Sequence, residues 1–330
     1  MKMNFAGLKR MNMKRILNRY GVFLALILVC ILLSFLTPAF ATSRNIINVV
    51  RQVSVYGLLA IGVMLVVLTG EIDLSVGSIV ALSGVAAALA DKGGAPWYIA
   101  ILLGLVAGMA AGLINGLFVT FGNVPSFIAT LGMQGIARGV ALLMTNGYPV
   151  SGLSSEFRFI GKGSIGFLPV PIIVLLTCCL IMAFVTKRMD FGRNLFAIGG
   201  SRKAALYSGI HVRREIIKAF VLSGFFAGLA GVVLTARLGA AETVAGEGFE
   251  QMAIAAVVIG GASLAGGKGN MMGTLIGTLI IGVINNGMTL LSIQTYWQKI
   301  VQGAIIVLAV LLNTIQIRSG RKKKPAAVKS

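Results

Sequence analysis

Between Gly21 and Leu312 the chain passes through one apolar stretch after another, each closed by glycine, proline or a few charges. A bilayer core needs about 20 apolar residues in a helix, so this recurrence confines the chain to an all-α, polytopic membrane fold. About ten transmembrane helices are expected: Gly21 to Thr37, Val53 to Thr69, Leu74 to Ala90, Trp97 to Phe121, Pro125 to Met144, Leu168 to Val185, Ala219 to Ala236, Met252 to Leu264, Met271 to Met288 and Trp297 to Leu312. Most are near or below the spanning length, so some should be tilted or interrupted. Composition agrees: charged residues are 12% of the 330, against about 25% in a soluble domain.

The net charge of +20 would suit a nucleic-acid binder if it were spread over one surface. Instead six Lys/Arg precede Tyr20, eight lie between Lys187 and Lys218, and six follow Ile317. Twenty of 29 thus flank apolar runs, which is the positive-inside pattern, and no nucleic-acid partner is expected. With the N-terminus cytoplasmic, ten crossings put all three basic clusters and the C-terminus on that side. Residues 1–19 and the apolar run before Ala39-Phe40-Ala41 also resemble a cleavable signal peptide, but losing them would leave an odd number of spans.

The chain then divides into a basic cytoplasmic N-terminus (1–19), a first membrane half of about six spans (20–186), a cytoplasmic loop (187–218), a second half of about four spans (219–313) and a basic, disordered tail (314–330). Within the loop, Ser201 suits the cap of a short helix over Arg202 to Ser208, and Gly209 suits the left-handed residue ending it. A compact basic helix between two membrane halves is either a docking surface for a cytosolic partner or a solvated, orienting loop. A parallel internal repeat is also expected, since residues 63–84 and 255–277 each end an apolar run in glycine, break, and return glycine-rich.

Gly104, Gly108, Gly112 and Gly116 recur every four residues and predict a helix-packing seam; Gly224 with Gly228 and Gly273 with Gly277 repeat it. Glu71 and Asp73 lie in a break between spans, where a carboxylate usually has a task. Asp73 either bonds substrate hydroxyls or caps the following helix, the cap being preferred for a turn at the cytoplasmic edge. Arg138 should face protein or water, or snorkel outward. Ser75, Asn115, Thr130, Gln134, Asn285 and Asn286 join Asp73 as candidates along a substrate pathway; as uncharged polar groups, they can instead hold helices together.

No catalytic constellation is present. The passage from Gly261 to Gly269 departs from a phosphate loop at Ala262 and Gly269. Cys30, Cys178 and Cys179 all lie in apolar runs and imply no disulfide framework, and His211 stands alone, so no metal site is expected. An ion-coupled secondary transporter would need a titratable cluster at mid-membrane and would have no use for the basic loop.

Four stretches resemble one family: Gly70 to Ser78, Asn115 to Met133 with Arg138-Gly139, Gly192 to Ile210, and Ala253 to Asn270. The chain is similar to the permease subunit of bacterial ribose-type monosaccharide ABC importers, within the ribose/branched-chain amino acid permease group. The resemblance implies a non-enzymatic transport subunit in the bacterial inner membrane, moving a monosaccharide by alternating access. A branched-chain amino acid permease is the alternative within the group. The implied partners are a cytosolic ATP-binding subunit, a periplasmic sugar-binding protein, a second permease chain and membrane lipid. ATP and magnesium would sit on the ATPase, with no cofactor on this chain. The Gly192–Ile210 stretch would be the coupling segment, with Arg193, Ala197, Gly199, Gly200, Ala204, Ala205 and Gly209 carried over. Glu71 and Ser201 depart from the family's commonest residues.

Overall fold

A computed structural model describes residues 5–321, with side chains described for 21–311. Its helices are α1 (Phe5–Leu36), α2 (Ser43–Leu68), α3 (Val76–Lys92), α4 (Trp97–Thr120), α5 (Ser126–Thr145), α6 (Ser155–Lys162), α7 (Val170–Arg188), α8 (Asp190–Gly200), α9 (Arg202–Tyr207), α10 (Val212–Leu238), α11 (Phe249–Ile259), α12 (Met271–Leu290) and α13 (Thr295–Arg321). Two-residue strands pair β1 (Val150–Ser151) with β4 (Ala240–Ala241) and β2 (Ser164–Ile165) with β3 (Leu168–Pro169), both antiparallel. The chain is therefore all-α in architecture and a multi-pass membrane protein.

Among the described residues six helices are long and apolar enough to cross a membrane: α2, α4, α5, α7, α10 and α12. Three of the other four expected spans overlap shorter apolar helices, and the fourth overlaps α3. α3 has 17 residues and α11 only 11, and the apolar parts of α1 and α13 are Gly21–Leu36 and Thr295–Leu311.

Several boundaries differ from the sequence reading. The segment Thr145 to Phe167, which lies between two expected spans, holds β1 and α6; Ser154 caps α6 by accepting from Phe157 N, and Phe157 is fully buried. α10 starts at Val212 rather than near Ala219, because no helix breaker separates the basic residues from the apolar ones. α13 runs to Arg321, into the stretch expected as a tail, since no proline occurs before Pro325. The rest of that tail and residues 1–4 lie outside the described residues.

α2 and α10 form the centre. Of their apolar windows 83% and 67% are buried, against 28% for α4, α5 and α7, which turn aliphatic faces outward. Small residues let the central helices close up: a Cβ on Gly62 of α2 would stand 2.9 Å from Ser223 Cα of α10. α4 lies against α10 along its glycines. A Cβ at Gly108 would fall onto the Gly224 carbonyl, one at Gly112 onto the Phe220 carbonyl, and one at Gly116 within 3.0 Å of Ile217 Cα. Gly104 faces Ser83 and Val232, so the seam also reaches α3. Gly273 and Gly277 of α12 likewise meet the backbone of α11 at Gly260 and Ala256.

The bundle has two differently built ends. At one, the α2–α3 break, the α4–α5 turn, α8, α9 and the α11–α12 loop come together, with Gly267 N donating to Leu68 O at 3.0 Å. Both halves of the expected repeat thus break at the same end. At the other, α6 packs on the end of α10, where Gly161 meets Ala236 and Arg237.

Candidate functional site: the α2–α3 break and the α8–α9 elbow

α2 ends at Thr69, and Gly70 follows at φ 84°, a left-handed value that favours glycine. From there to Ser75 the chain is not helical, and its polar backbone must be satisfied inside the protein. Two side chains of α5 do much of this. Ser126 and Thr130, one turn apart on α5, accept from Ile72 N and Leu74 N, both at 3.1 Å. Asn115 of α4 donates to Ser75 Oγ at 2.8 Å.

Asp73, completely buried, sits at the middle of the network. Its Oδ1 accepts from Ser75 N at 3.0 Å and from Ser75 Oγ at 2.6 Å, and its Oδ2 accepts from Ser223 Oγ of α10 at 2.8 Å. The carboxylate therefore ties the start of α3 to α10. Of the two roles open to Asp73 in the sequence, this geometry is that of a helix-start anchor.

The expected pathway residues separate into three places. Asp73, Ser75, Asn115 and Thr130 are fully buried together in the break. Gln134 lies farther along α5, half-buried, and donates to Glu250 Oε1 at 3.3 Å. Glu250 Oε2 is buried without a hydrogen-bond partner and lies against Gly77 of α3. Asn285 and Asn286 are adjacent on α12 but point to different neighbours. Asn285 accepts from Gln302 at 3.1 Å, whereas Asn286 exchanges two amide hydrogen bonds with Asn45 of α2, at 2.8 and 3.0 Å. Arg138 donates to the carbonyls of Thr243 and Ala245, so it faces protein rather than snorkelling.

Sequence reading missed Ser223, Ser126, Glu250 and Asn45. The spacing of Ser126 and Thr130 by one helical turn was a visible signal, since such residues share a face. Ser223 carried no comparable mark beyond lying next to Gly224 of the seam.

At the same end of the bundle α8 and α9 meet in an elbow at Ser201, whose Oγ accepts from Ala204 N at 3.3 Å. α9 stops at Tyr207, and Gly209 follows at φ 81°. The residues expected to face a partner divide between two environments. Arg193, Ala197, Gly200, Ala204 and Gly209 are exposed, and a Cβ on Gly200 or Gly209 meets open space. Ala205 is buried, and Gly199 packs onto Leu68 and Gly267 of the chain itself. These last two small residues fit the elbow to its own bundle. Beside them Leu206 and Tyr207 are exposed on the basic surface, Tyr207 at 87%. Among the described residues no group of His, Cys, Asp and Glu could hold a metal ion, and Cys30, Cys178 and Cys179 are free thiols.

Residues 45–310 match the family described as branched-chain amino acid transport system / permease component. The chain is 44% identical to the ribose import permease RbsC of Bacillus subtilis, over 92% of this chain and 95% of that protein. It is 45% identical to the D-allose transport system permease AlsC of Escherichia coli, over 90% and 92%. With the xylose transport system permease XylH of Haemophilus influenzae it shares 36%, over 92% and 97%. No solved structure matches. A match through both interrupted hairpins, the elbow and all six long helices places the chain in the branched-chain amino acid transport system / permease component family.

Proposed function

We propose that this chain is the membrane subunit of an ATP-driven importer carrying a monosaccharide across the bacterial inner membrane by alternating access. The observation that carries the reading is its identity of 44% and 45%, nearly end to end, with permeases named for ribose and D-allose. Ten spans with both termini cytoplasmic place the three basic clusters on one side, the short helices α3 and α11 crossing as halves of interrupted hairpins. The exposed positions of α8 and α9 then face the cytosol and receive an ATP-binding subunit, which holds ATP and magnesium; this chain needs no cofactor. A sugar-binding protein delivers substrate at the opposite end, and a second permease chain completes the pathway.

The buried network around Asp73 holds the break in place, while half-buried Gln134 keeps a carboxamide within reach of a passing hydroxyl. Weak contacts of this kind suit a transporter that must release its cargo. Affinity then belongs to the binding protein.

The test is labelled-sugar uptake in proteoliposomes holding the chain, its ATPase and its binding protein. Gly200→Trp supplies the variant, because its side chain would project into open space and leave the fold intact. The expected result is uptake that requires ATP and binding protein, and a Trp variant that folds but loses uptake and ATPase association. Uptake driven by an ion gradient without either partner would overturn the reading.

A further inference from the structure

The elbow between α8 and α9 touches both interrupted hairpins at once, and it does so through backbone. A Cβ at Gly266 would stand 2.8 Å from Gly199 Cα and 2.8 Å from Gly70 N; one at Gly267 would stand 2.8 Å from Gly200 N. Three segments therefore meet at glycines of the first break, the elbow and the α11–α12 loop. Backbone surfaces in such contact have no flexible side chain to give way. A displacement of the elbow is passed on to both hairpins instead of being absorbed.

One side-chain link joins this junction to α9. Arg202, its first residue, donates to Glu71 Oε1 at 3.1 Å across 131 residues of sequence. The Glu71 side chain is only 15% exposed, whereas that of Arg202 is 53% exposed. Two residues beyond Glu71, Asp73 bonds Ser75 and Ser223. Asn115 holds Ser75 in turn. Contacts thus run without a gap from α9 through Glu71 into α3, α4 and α10. A cavity of about 420 Å³ lies beside the pair, between α9 and the α4–α5 turn, with Val119, Pro125, Leu206 and Arg213 in its walls. That space gives α9 room to shift.

We infer that Glu71 and Arg202 are positioning residues for transport: the pair makes the α2–α3 break follow α9 when the coupling segment moves. The inference rests on the reading of α8 and α9 as the ATPase-docking segment. A half-exposed ion pair adds little to stability, so its loss should leave the fold standing and register in coupling instead.

The experiment uses the full chain with its ATPase and binding protein in proteoliposomes. It measures sugar taken up per ATP hydrolysed, together with ATPase association. Glu71→Gln is the principal variant, because it leaves the exposed surface of α9 unaltered. Arg202→Glu and the exchange Glu71→Arg/Arg202→Glu accompany it. Glu71→Gln is expected to keep association and hydrolysis while uptake per ATP falls about fivefold to tenfold, the range of a modest coupling energy. The exchange should return the ratio to within about twofold of wild type, since the attraction depends on opposite charge and not on its direction. A Glu71→Gln protein with the wild-type ratio overturns the inference. So does an exchange variant that binds the ATPase yet does no better than Arg202→Glu. Should Arg202→Glu itself lose association, Glu71→Gln alone decides. Wild-type uptake without ATP would remove the underlying reading, an outcome visible before any variant is made.

Discussion

A buried carboxylate in a membrane protein is expensive, and Asp73 shows how the chain meets that expense with hydrogen-bond donors on hand. It accepts three hydrogen bonds from Ser75 and Ser223. Removing the acceptor leaves the Ser75 N–H and the Ser223 hydroxyl without it in a buried site. Each such loss costs about 1–3 kcal/mol in soluble proteins, though side-chain bonds between membrane helices average about 0.6 kcal/mol. Asp73→Ala is therefore expected to destabilise the chain by about 2 kcal/mol, and Ser223→Ala by less, read as thermal unfolding of the purified protein in detergent. An Asp73→Ala protein that melts with the wild type but fails in sugar transport would move this carboxylate into the pathway. The place of Asp73 before a helix start led to the expectation of a cap, whereas Ser75 is the residue at the N-cap and Asp73 holds it through its N–H and hydroxyl. Its second partner was not legible, because Ser223 lies 150 residues away and a lone serine in an apolar helix announces nothing. Arg138 was half legible for a similar reason: its charge demanded partners, but backbone carbonyls carry no mark in sequence.

Between elements, the same residue type does opposite work on neighbouring helices. The glycines of α4 meet α10 backbone to backbone, while Gly132, Gly135 and Gly139 of α5 have nothing within 4 Å of where a Cβ would stand. Gly108→Ala would push a methyl group into the Gly224 carbonyl and force the helices apart, and overpacking of this sort costs about 1–3 kcal/mol. Gly132→Ala meets no such obstacle and gains up to about 1 kcal/mol of helix propensity. Melting temperatures of the two variants should consequently move in opposite directions. Equal shifts would mean that the α4–α10 contact is looser than its geometry. The four-residue spacing on α4 made a seam legible in sequence, but not which helix filled it. Spacing describes one face of one helix, and the partner depends on how the whole bundle is wound. The close approach of Gly199 to Leu68 and Gly267 was hidden for the same reason.

Across the whole molecule, the two ends of the bundle differ in kind, and the difference yields a prediction about sidedness. Both hairpin breaks, the elbow and the basic residues of α9 and early α10 gather at one end. The other carries α6 and the β1–β4 pair, with Asp91 of α3 accepting from Ser154 N at 2.7 Å and Ser154 Oγ at 2.6 Å. The charge pattern of the sequence predicts which of these ends is cytoplasmic. It could not show that the segment from 146 to 169 folds into a built cover, because a short amphipathic helix and two-residue strands fall below any hydropathy signal. Tyr207 on α9 and Phe167 beyond α6 are 87% and 86% exposed, so cysteines there would be open to reagent. With Cys30, Cys178 and Cys179 replaced by serine, Tyr207→Cys should react with a membrane-impermeant maleimide only in inside-out vesicles. Phe167→Cys should react only in intact spheroplasts. Reaction of both from the same side would mean an even number of crossings between them. Since α7 is the only apolar helix of spanning length from 168 to 206, the fault would then lie with α7 as a crossing. The ten-span count would fail with it, and the elbow would face away from any ATPase.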